Sequence, residues 1–347
     1  MNTLSRKQQF INALLLEIEN TAYYLNNETV ETIYFGGGTP SLLNQADWEK
    51  IFNKLFQHHS IALKECTIEV NPDDLNSEKL AMLNTFPVNR LSIGVQSFHE
   101  ADLQFMRRAH NAIEAEASIL AAQDHGFNNI SVDLIYGTPT LTDQQWIKNL
   151  EITNQLGVQH LSCYALTVEP KTKLHQAIQK GTAPSPNDEK TTAQFDTLMD
   201  FAKENNYHHY EISNFGKEHF IAVHNTNYWK GETYLGLGPS AHSFNRTARR
   251  WNVSNLNNYI KSINSCSSCF TEELLTAKDH TNEYIMTSLR TQWGCNLQQI
   301  PPDYWPAFSL SLKKINEDFF LISNNHLILT STGKHFADYI ASELFIL

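Results

Sequence analysis

Apolar residues fall along this chain in two rhythms. Over 4–26, Phe10, Leu14, Ile18, Ala22 and Leu25 recur every three or four positions, which predicts an amphipathic helix. Short runs rich in β-favouring residues follow at Thr32–Phe35, Cys66–Val70, Arg90–Val95, Asn129–Tyr136 and His160–Ala165. Between them lie helical patterns at 44–57, where Trp48, Ile51 and Leu55 share a face, and at 77–85, 100–108, 112–125 and 142–156. Strand–helix alternation of this kind predicts a parallel sheet with helices on its outer face.

Past Val168-Glu169-Pro170 the alternation weakens. A helix at 188–205 and a strand at 207–212 precede a loop rich in aromatic and polar residues, 213–230, and a Gly-rich turn, Leu235-Gly236-Leu237-Gly238-Pro239. From about 270 the character changes. Helical segments at 272–292 and 303–316 lead to short strands at Phe319–Ile322 and His326–Leu329, joined by the turn Ser323-Asn324-Asn325, and a helix over 331–345 ends the chain. Helices followed by a small hairpin resemble a winged-helix module. The expected division is a barrel core over 1–170, an extension over 171–269 and a C-terminal module over 270–347.

Parallel α/β proteins place their chemistry at the carboxyl ends of the strands. Polar residues gather there in this chain: Gly36-Gly37-Gly38-Thr39 after the first strand, then Glu69, Gln96, Asp133 and Tyr164. The glycines let the backbone take φ > 0 and lie close against a ligand, although a tight turn would also use them. A lone Asp133 would more often be a hydrogen-bonded structural carboxylate. Five strands delivering polar residues to one rim favour a shared ligand site.

Charge narrows the partners. A net charge of −11 over 347 residues makes binding to a phosphate backbone a poor candidate, so the C-terminal module is expected to cover rather than to read DNA. Arg246, Arg249 and Arg250 are expected in a solvated loop. No apolar run reaches the roughly 18 residues of a membrane span, and no secretory signal is visible, so the expected place is the cytoplasm. Five cysteines are too few and too scattered for a disulfide framework. Cys66 and Cys163 are expected to be buried in strands. Cys266-Ser-Ser-Cys269 lacks the second pair that zinc requires.

Four stretches carry a resemblance: Gly36-Gly37-Gly38-Thr39-Pro40, Glu69-Val70-Asn71-Pro72, Arg90-Leu91-Ser92-Ile93-Gly94-Val95-Gln96-Ser97-Phe98 and Asp133-Leu134-Ile135-Tyr136-Gly137. In this order and spacing they resemble the radical S-adenosylmethionine proteins of the oxygen-independent coproporphyrinogen oxidase family. His224-Asn225-Thr226-Asn227-Tyr228-Trp229, followed by Tyr234-Leu235-Gly236-Leu237-Gly238-Pro239-Ser240-Ala241-His242-Ser243, is similar to the HemW-type heme chaperones within it. The resemblance spans nearly the whole chain. It implies an α/β fold: a partial (β/α)6 radical-SAM-type barrel missing its first strand, plus a mainly helical, winged-helix-like C-terminal domain.

It also implies roles. Gly37, Gly38 and Thr39 would lie against the amino-acid end of S-adenosylmethionine, and Glu69 would touch that end or the ribose. Gln96, Arg108 and Asp133 would line the rest, with Arg108 a fixed cation for a carboxylate and Arg107 its solvated neighbour. Ala165 would pack near the adenine. His224 would be the histidine linked with heme, since imidazole is a common axial ligand; the plainer reading is a hydrogen-bonding loop histidine. The implied function is to bind heme and pass it to an acceptor protein, a respiratory one among the candidates. No residue here is expected to be catalytic, and coproporphyrinogen oxidase activity is not expected. The alternatives are an oxygen-independent coproporphyrinogen dehydrogenase and a cluster-free remnant that binds only S-adenosylmethionine or a partner.

The family holds a [4Fe-4S] cluster on a CxxxCxxC loop after its first barrel strand. This chain has no such triplet, and none of its five cysteines can stand in. Five core strands are read where the family has six, so the missing strand and loop would both precede Met1, as from a late start. The expectation is a chain without metal ligands whose strand Thr32–Phe35 presents an unpaired edge, and which folds poorly or is completed by upstream residues.

Overall fold

Capping decides where many of the predicted elements begin and end. In the computed structural model, which describes residues 3–265 and 267–347, α1 spans Thr3–Asn20 and is followed by turns rather than by helix to 26. Asn26 and Asn27 take φ of 48° and 63° there, a left-handed conformation that asparagine tolerates better than most residues. After β1 (Val30–Phe35), α2 (Gln45–His58) starts where Asn44 forms a capping box with Asp47. β2 (Ile61–Val70) begins at Ile61 rather than Cys66. Then come α3 (Ser77–Leu83), β3 (Arg90–Gln96), α4 (Glu100–Phe105), α5 (Ala112–Asp124), β4 (Ile130–Tyr136), α6 (Asp143–Gln155) and β5 (His160–Ala165). Capping boxes at Asn111 with Glu114 and at Thr142 with Gln145 set the starts of α5 and α6.

Beyond β5 lie α7 (Lys173–Gln179), α8 (Asp188–Glu204), β6 (His208–Glu211), β7 (Asn214–Gly216) and α9 (Val223–Trp229). The stretch 213–230, expected as loop, therefore holds a strand and a short helix. The strands form one sheet of order β1-β2-β3-β4-β5-β7-β6. β2, β3, β4 and β5 pair in parallel, and β7 is antiparallel to β5 and β6. β1 sits at one edge, as the sequence led one to expect.

Alternation sorts the two faces of this sheet. Cys66, Ile68, Val70, Leu91, Ile93, Val95, Val132, Leu134, Leu161 and Cys163 are all buried on one face. There Tyr136 stacks on Phe195 of α8 and touches Trp146 of α6, with centroids 6.1 and 5.6 Å away. The opposite face is polar. Thr67 pairs with Arg90, Glu69 with Ser92, Ser92 with Ser131, Ser131 with His160 and Asp133 with Ser162.

The rest of the chain adds a second, antiparallel sheet, β10-β9-β8, from β8 (His242–Phe244), β9 (Ala248–Asn252) and β10 (Phe270–Leu274), with α10 (Leu256–Asn264) connecting β9 to β10. The helix expected over 272–292 is α11 (Ala277–Leu289), started by a capping box of Thr276 with Asp279. Residues 270–274 instead pair with β9. Then follow β11 (Cys295–Asn296), α12 (Trp305–Leu312), β12 (Phe320–Ser323), β13 (His326–Leu329), α13 (Ser331–Lys334) and α14 (Ala337–Glu343), with the sheet order β11-β13-β12. The helix expected over 331–345 is broken at Phe336, whose φ and ψ are −115° and 19°. The architecture is thus α/β, with a mainly helical C-terminal segment. Among the described residues no helix is long and apolar enough to cross a membrane.

The chain divides into two units. Tyr34–Leu42 with Glu65–Ala222 forms one, here called the sheet unit. Met1–Ile33, Leu43–Lys64 and Val223–Leu347 form the other. In the latter, Glu17 of α1 is 2% exposed. Its carboxylate accepts from Tyr259 Oη (2.7 Å), Asn252 Nδ2 (2.6 Å) and the Gly238 N–H (2.8 Å). Arg250 also departs from expectation. It is buried on β9, its guanidinium 3.9 Å from the Tyr24 ring and 4.4 Å from Phe270. Arg246 pairs with Glu232, and Arg249 with Glu283.

Candidate functional site

The glycine loop after β1 is held by one carboxylate. Tyr34 Oη donates to Glu69 Oε1 (2.8 Å) and the Gly37 N–H donates to Glu69 Oε2 (3.0 Å). A Cβ on Gly36 would come within 2.6 Å of Glu69 Oε1, so that position must be glycine for Glu69 to reach the loop. Gly37, at φ 76°, and Gly38 have nothing within 4 Å of where a Cβ would be, and Gly37, Gly38 and Thr39 are exposed. Their backbone is open to a ligand.

Gln96 and Arg108 converge at the end of β3. The pairing of β3 with β4 slips between Ile93 and Gln96, and Gln96 takes φ 68°. For a residue with a side chain this costs about 1–2 kcal/mol. A Cβ at Gly94 would lie 3.0 Å from Gln96 Nε2 and 3.2 Å from Arg108 Nη2. Arg108 Nη2 donates to Asn71 Oδ1 (2.8 Å) and to Gly94 O (3.1 Å). Arg107 is exposed, at φ 56°, so Arg108 is the arginine turned toward the strand ends.

Asp133 lies on the polar face of the sheet. Ser92 Oγ donates to its Oδ1 (3.0 Å). Burial pushes its carboxyl up to about 7, the Glu69 carboxylate adding to the rise, while the Ser92 and Ser162 hydroxyls and Arg90 pull the other way. Below it run Ser162, Ser131, His160 and Tyr210, each within 3.0 Å of the next. Burial holds His160 well below the ordinary imidazole range, hence neutral. Ala165 ends β5 opposite Tyr136, and Tyr164 beside it is exposed. The structure thus brings Gly37, Glu69, Gln96 and Arg108 to one set of neighbouring strand ends, with Gly38 and Thr39 on the same loop, Asp133 in the middle of β4 and Ala165 at the end of the adjoining strand. Ser92, Ser162, Asn71, Asp74 and Tyr34 were missed. For the serines the signal was present in the period-two polarity of Arg90-Leu91-Ser92 and His160-Leu161-Ser162.

His224 belongs to the other unit. It lies on α9, not in a loop, and its Nδ1 is 2.8 Å from Thr32 Oγ1. The Tyr228 ring meets its imidazole edge-on, 5.0 Å between centroids, and Tyr234 meets Tyr228 at 4.5 Å. Tyr228 is 43% exposed. Within the motif, Trp229 Nε1 donates to Asn225 Oδ1 (2.9 Å) and Arg290 lies over the Trp229 ring.

Cys66, Cys163, Cys269 and Cys295 are buried and unbridged, and burial raises the pKa of each thiol. Cys266, the other half of the CxxC, lies outside the described residues. Among the described residues no three His, Cys, Asp or Glu side chains are grouped to hold a metal. The described residues do not fit a [4Fe-4S] cluster.

The comparisons with known proteins agree with one another. The family profile described as the radical SAM superfamily matches residues 9–152. The heme chaperone HemW of Bacillus subtilis is 33% identical over 334 residues, covering 94% of this chain and 88% of that protein. The heme chaperone HemW of Lactococcus lactis is 32% identical over 282 residues, covering 81% and 74%. Among solved structures, the coproporphyrinogen III oxidase HemN of Escherichia coli, a radical SAM enzyme, superimposes with a TM-score of 0.83 at 20% identity, over 99% of this chain and 84% of that one. At that identity the likeness speaks for the fold: the parallel sheet is the half-barrel of the radical SAM proteins.

Proposed function

Because this chain belongs to the family of the HemW heme chaperones, within the radical SAM proteins, we propose that it binds heme and hands it to an acceptor protein. The observation that carries the proposal is the setting of His224. Thr32 Oγ1 lies 2.8 Å from Nδ1 of the imidazole and orients the ring, and Tyr228 and Tyr234 offer aromatic surface beside it for a porphyrin. Heme transfer, as proposed, makes and breaks no covalent bond of the porphyrin and draws no electron from a cluster.

The rim of the sheet unit suits S-adenosylmethionine. The exposed backbone of Gly37 and Gly38, the guanidinium of Arg108, and the carboxylates of Glu69 and Asp133 match a ligand carrying a carboxylate, an ammonium and a ribose diol. Bound beside a cluster, that cofactor supplies the superfamily's reductive cleavage. Here the chain's own residues would only hold and orient it.

Titration with hemin tests the heme role. The wild-type chain should give a saturable Soret shift, and His224→Ala should weaken binding about tenfold or more and change the Soret position. An unchanged spectrum and affinity in His224→Ala would remove His224 from the site.

A further inference from the structure

We infer that Asp74 is a positioning residue that locks the glycine loop and Arg108 into one arrangement, set for the amino-acid head of the ligand. The inference rests on reading this rim as an S-adenosylmethionine site.

The geometry is a short chain of hydrogen bonds within the sheet unit. Asp74 ends the 3-10 turn Pro72–Asp74 that follows β2. Its Oδ2 accepts from Ser41 Oγ (2.6 Å) and from Asn71 Nδ2 (3.2 Å). Ser41 is buried, two residues past Thr39 at the end of the glycine loop. The Asn71 side chain makes no capping bond to its own turn. It is spent between Asp74 and Arg108, accepting from Arg108 Nη2 on its other side (2.8 Å). One carboxylate oxygen therefore connects the loop with the guanidinium.

Three further observations favour positioning over a local staple. The turn also abuts a fixed side chain: His110, 3% exposed, is held by Nε2 to Val95 O (3.0 Å) and sets Nδ1 3.8 Å from Asp73 Oδ1, beyond hydrogen-bond reach. Both hydrogen bonds of Arg108 use Nη2. Among the described residues, Nε and Nη1 make none, so N–H donors remain on the guanidinium for single hydrogen bonds to a ligand carboxylate. The loop itself is open on its side-chain side: nothing lies within 4 Å of where a Cβ of Gly37 or Gly38 would be, and Glu69 holds the Gly37 N–H. Glu69 holds the start of the loop and Asp74 holds its end. A ligand head seated between amides and guanidinium needs both fixed at once, and Asp74 is the group that touches both chains of contact.

Two ligands separate this role from general stability. S-Adenosylmethionine carries the amino-acid head; 5′-methylthioadenosine keeps the nucleoside and sulfur and lacks it. By calorimetric titration of the full chain, Asp74→Ala should weaken S-adenosylmethionine about tenfold, the worth of one charge-assisted contact, and leave methylthioadenosine within about twofold. Asp74→Asn keeps an acceptor oxygen and should recover most of the loss. Hydrogen exchange of unliganded Asp74→Ala should quicken at 36–42 and leave β4 and β5 unchanged. Equal weakening of both ligands, or wild-type affinity for S-adenosylmethionine in Asp74→Ala, overturns the inference alone. A wild-type chain that binds neither compound overturns the reading of the rim and the inference with it. Should Asp74→Ala not fold, Ser41→Ala breaks the same tie and takes its place in each comparison.

Discussion

Replacing Asp133 by asparagine should make the free protein more stable at alkaline pH and change little in acid. Burial pushes the carboxyl up from the ordinary 3.8 to about 7. The folded chain therefore holds this proton more tightly than the unfolded chain does. Below the unfolded value both states keep the proton, and the group contributes nothing. As pH rises toward the folded value only the unfolded state ionises, and stability falls by ~1.4 kcal/mol per pH unit; beyond it the penalty levels off near ~4 kcal/mol. Asparagine is of similar size, cannot ionise and still offers Ser92 an acceptor oxygen. Allowing about 1 kcal/mol for poorer hydrogen bonds to Ser92 and Ser162, Asp133→Asn should gain about 3 kcal/mol above pH 8.

Urea unfolding of both proteins at pH 4, 6 and 8.5, followed by circular dichroism, reads this as a gap between midpoints that opens with pH. A gap of constant size, or a variant less stable than wild type at pH 8.5, would refute the argument, because either result requires the native carboxyl to be ionised well below neutrality. The same variant should bind S-adenosylmethionine more weakly, since an acceptor pair for a ribose diol is lost.

Two more predictions concern the other unit. Glu17→Ala strands Tyr259 Oη, Asn252 Nδ2 and the Gly238 N–H in a buried place; at about 1–3 kcal/mol for each unmet group, it should cost at least ~3 kcal/mol by thermal melts, and Glu17→Gln, which keeps one acceptor oxygen and turns an NH2 toward the remaining donors, should fall between wild type and Glu17→Ala. A loss well under about 1 kcal/mol in Glu17→Ala would refute the role given to these hydrogen bonds. Gly333→Ala places a Cβ 1.8 Å from Phe319 O; it should detach α13 from the hairpin at a cost of ~3 kcal/mol, seen as faster exchange confined to the C-terminal segment.

Much of the fold was legible because burial is periodic. β5 ends at the residues the pattern marked, and so does β13, since each is bounded by clear turn or helix signals. What failed depended on partners distant in sequence. Residues 270–274 carry Thr-Glu-Glu, good helix-surface residues, and become a strand only because β9 lies alongside. Arg250 read as solvated, since arginine seldom buries; Tyr24 and Phe270, remote along the chain, make its burial tolerable. In the site, Glu69 and Gln96 stood out as polar ends of apolar runs, and Asp133 as a carboxylate in the middle of one. Asp74 did not, because an aspartate after Asn-Pro is ordinary turn chemistry, and its bond to Ser41 exists only once two loops meet.

The polar face of the sheet is the stronger clue to function than any one residue on it. Strands of a parallel sheet ordinarily read as nearly continuous apolar runs, because both faces are covered. Here every second residue breaks that rule: Glu65, Thr67 and Glu69 on β2, Arg90 and Ser92 on β3, Ser131 and Asp133 on β4, His160 and Ser162 on β5. Glu65, Arg90, Ser131 and His160 are all buried. Groups so placed must be hydrogen-bonded to be tolerated. Many bond one another, as in the line from Ser162 through Ser131 and His160 to Tyr210. Asp133 still bears a raised pKa despite two hydroxyls and Arg90. A sheet shaped by stability alone would have replaced it with an apolar residue. Its place in the polar column, near Glu69 and the glycine loop, is what the S-adenosylmethionine site proposed for this face would require, and on that proposal the stability cost of the site falls on this titratable group.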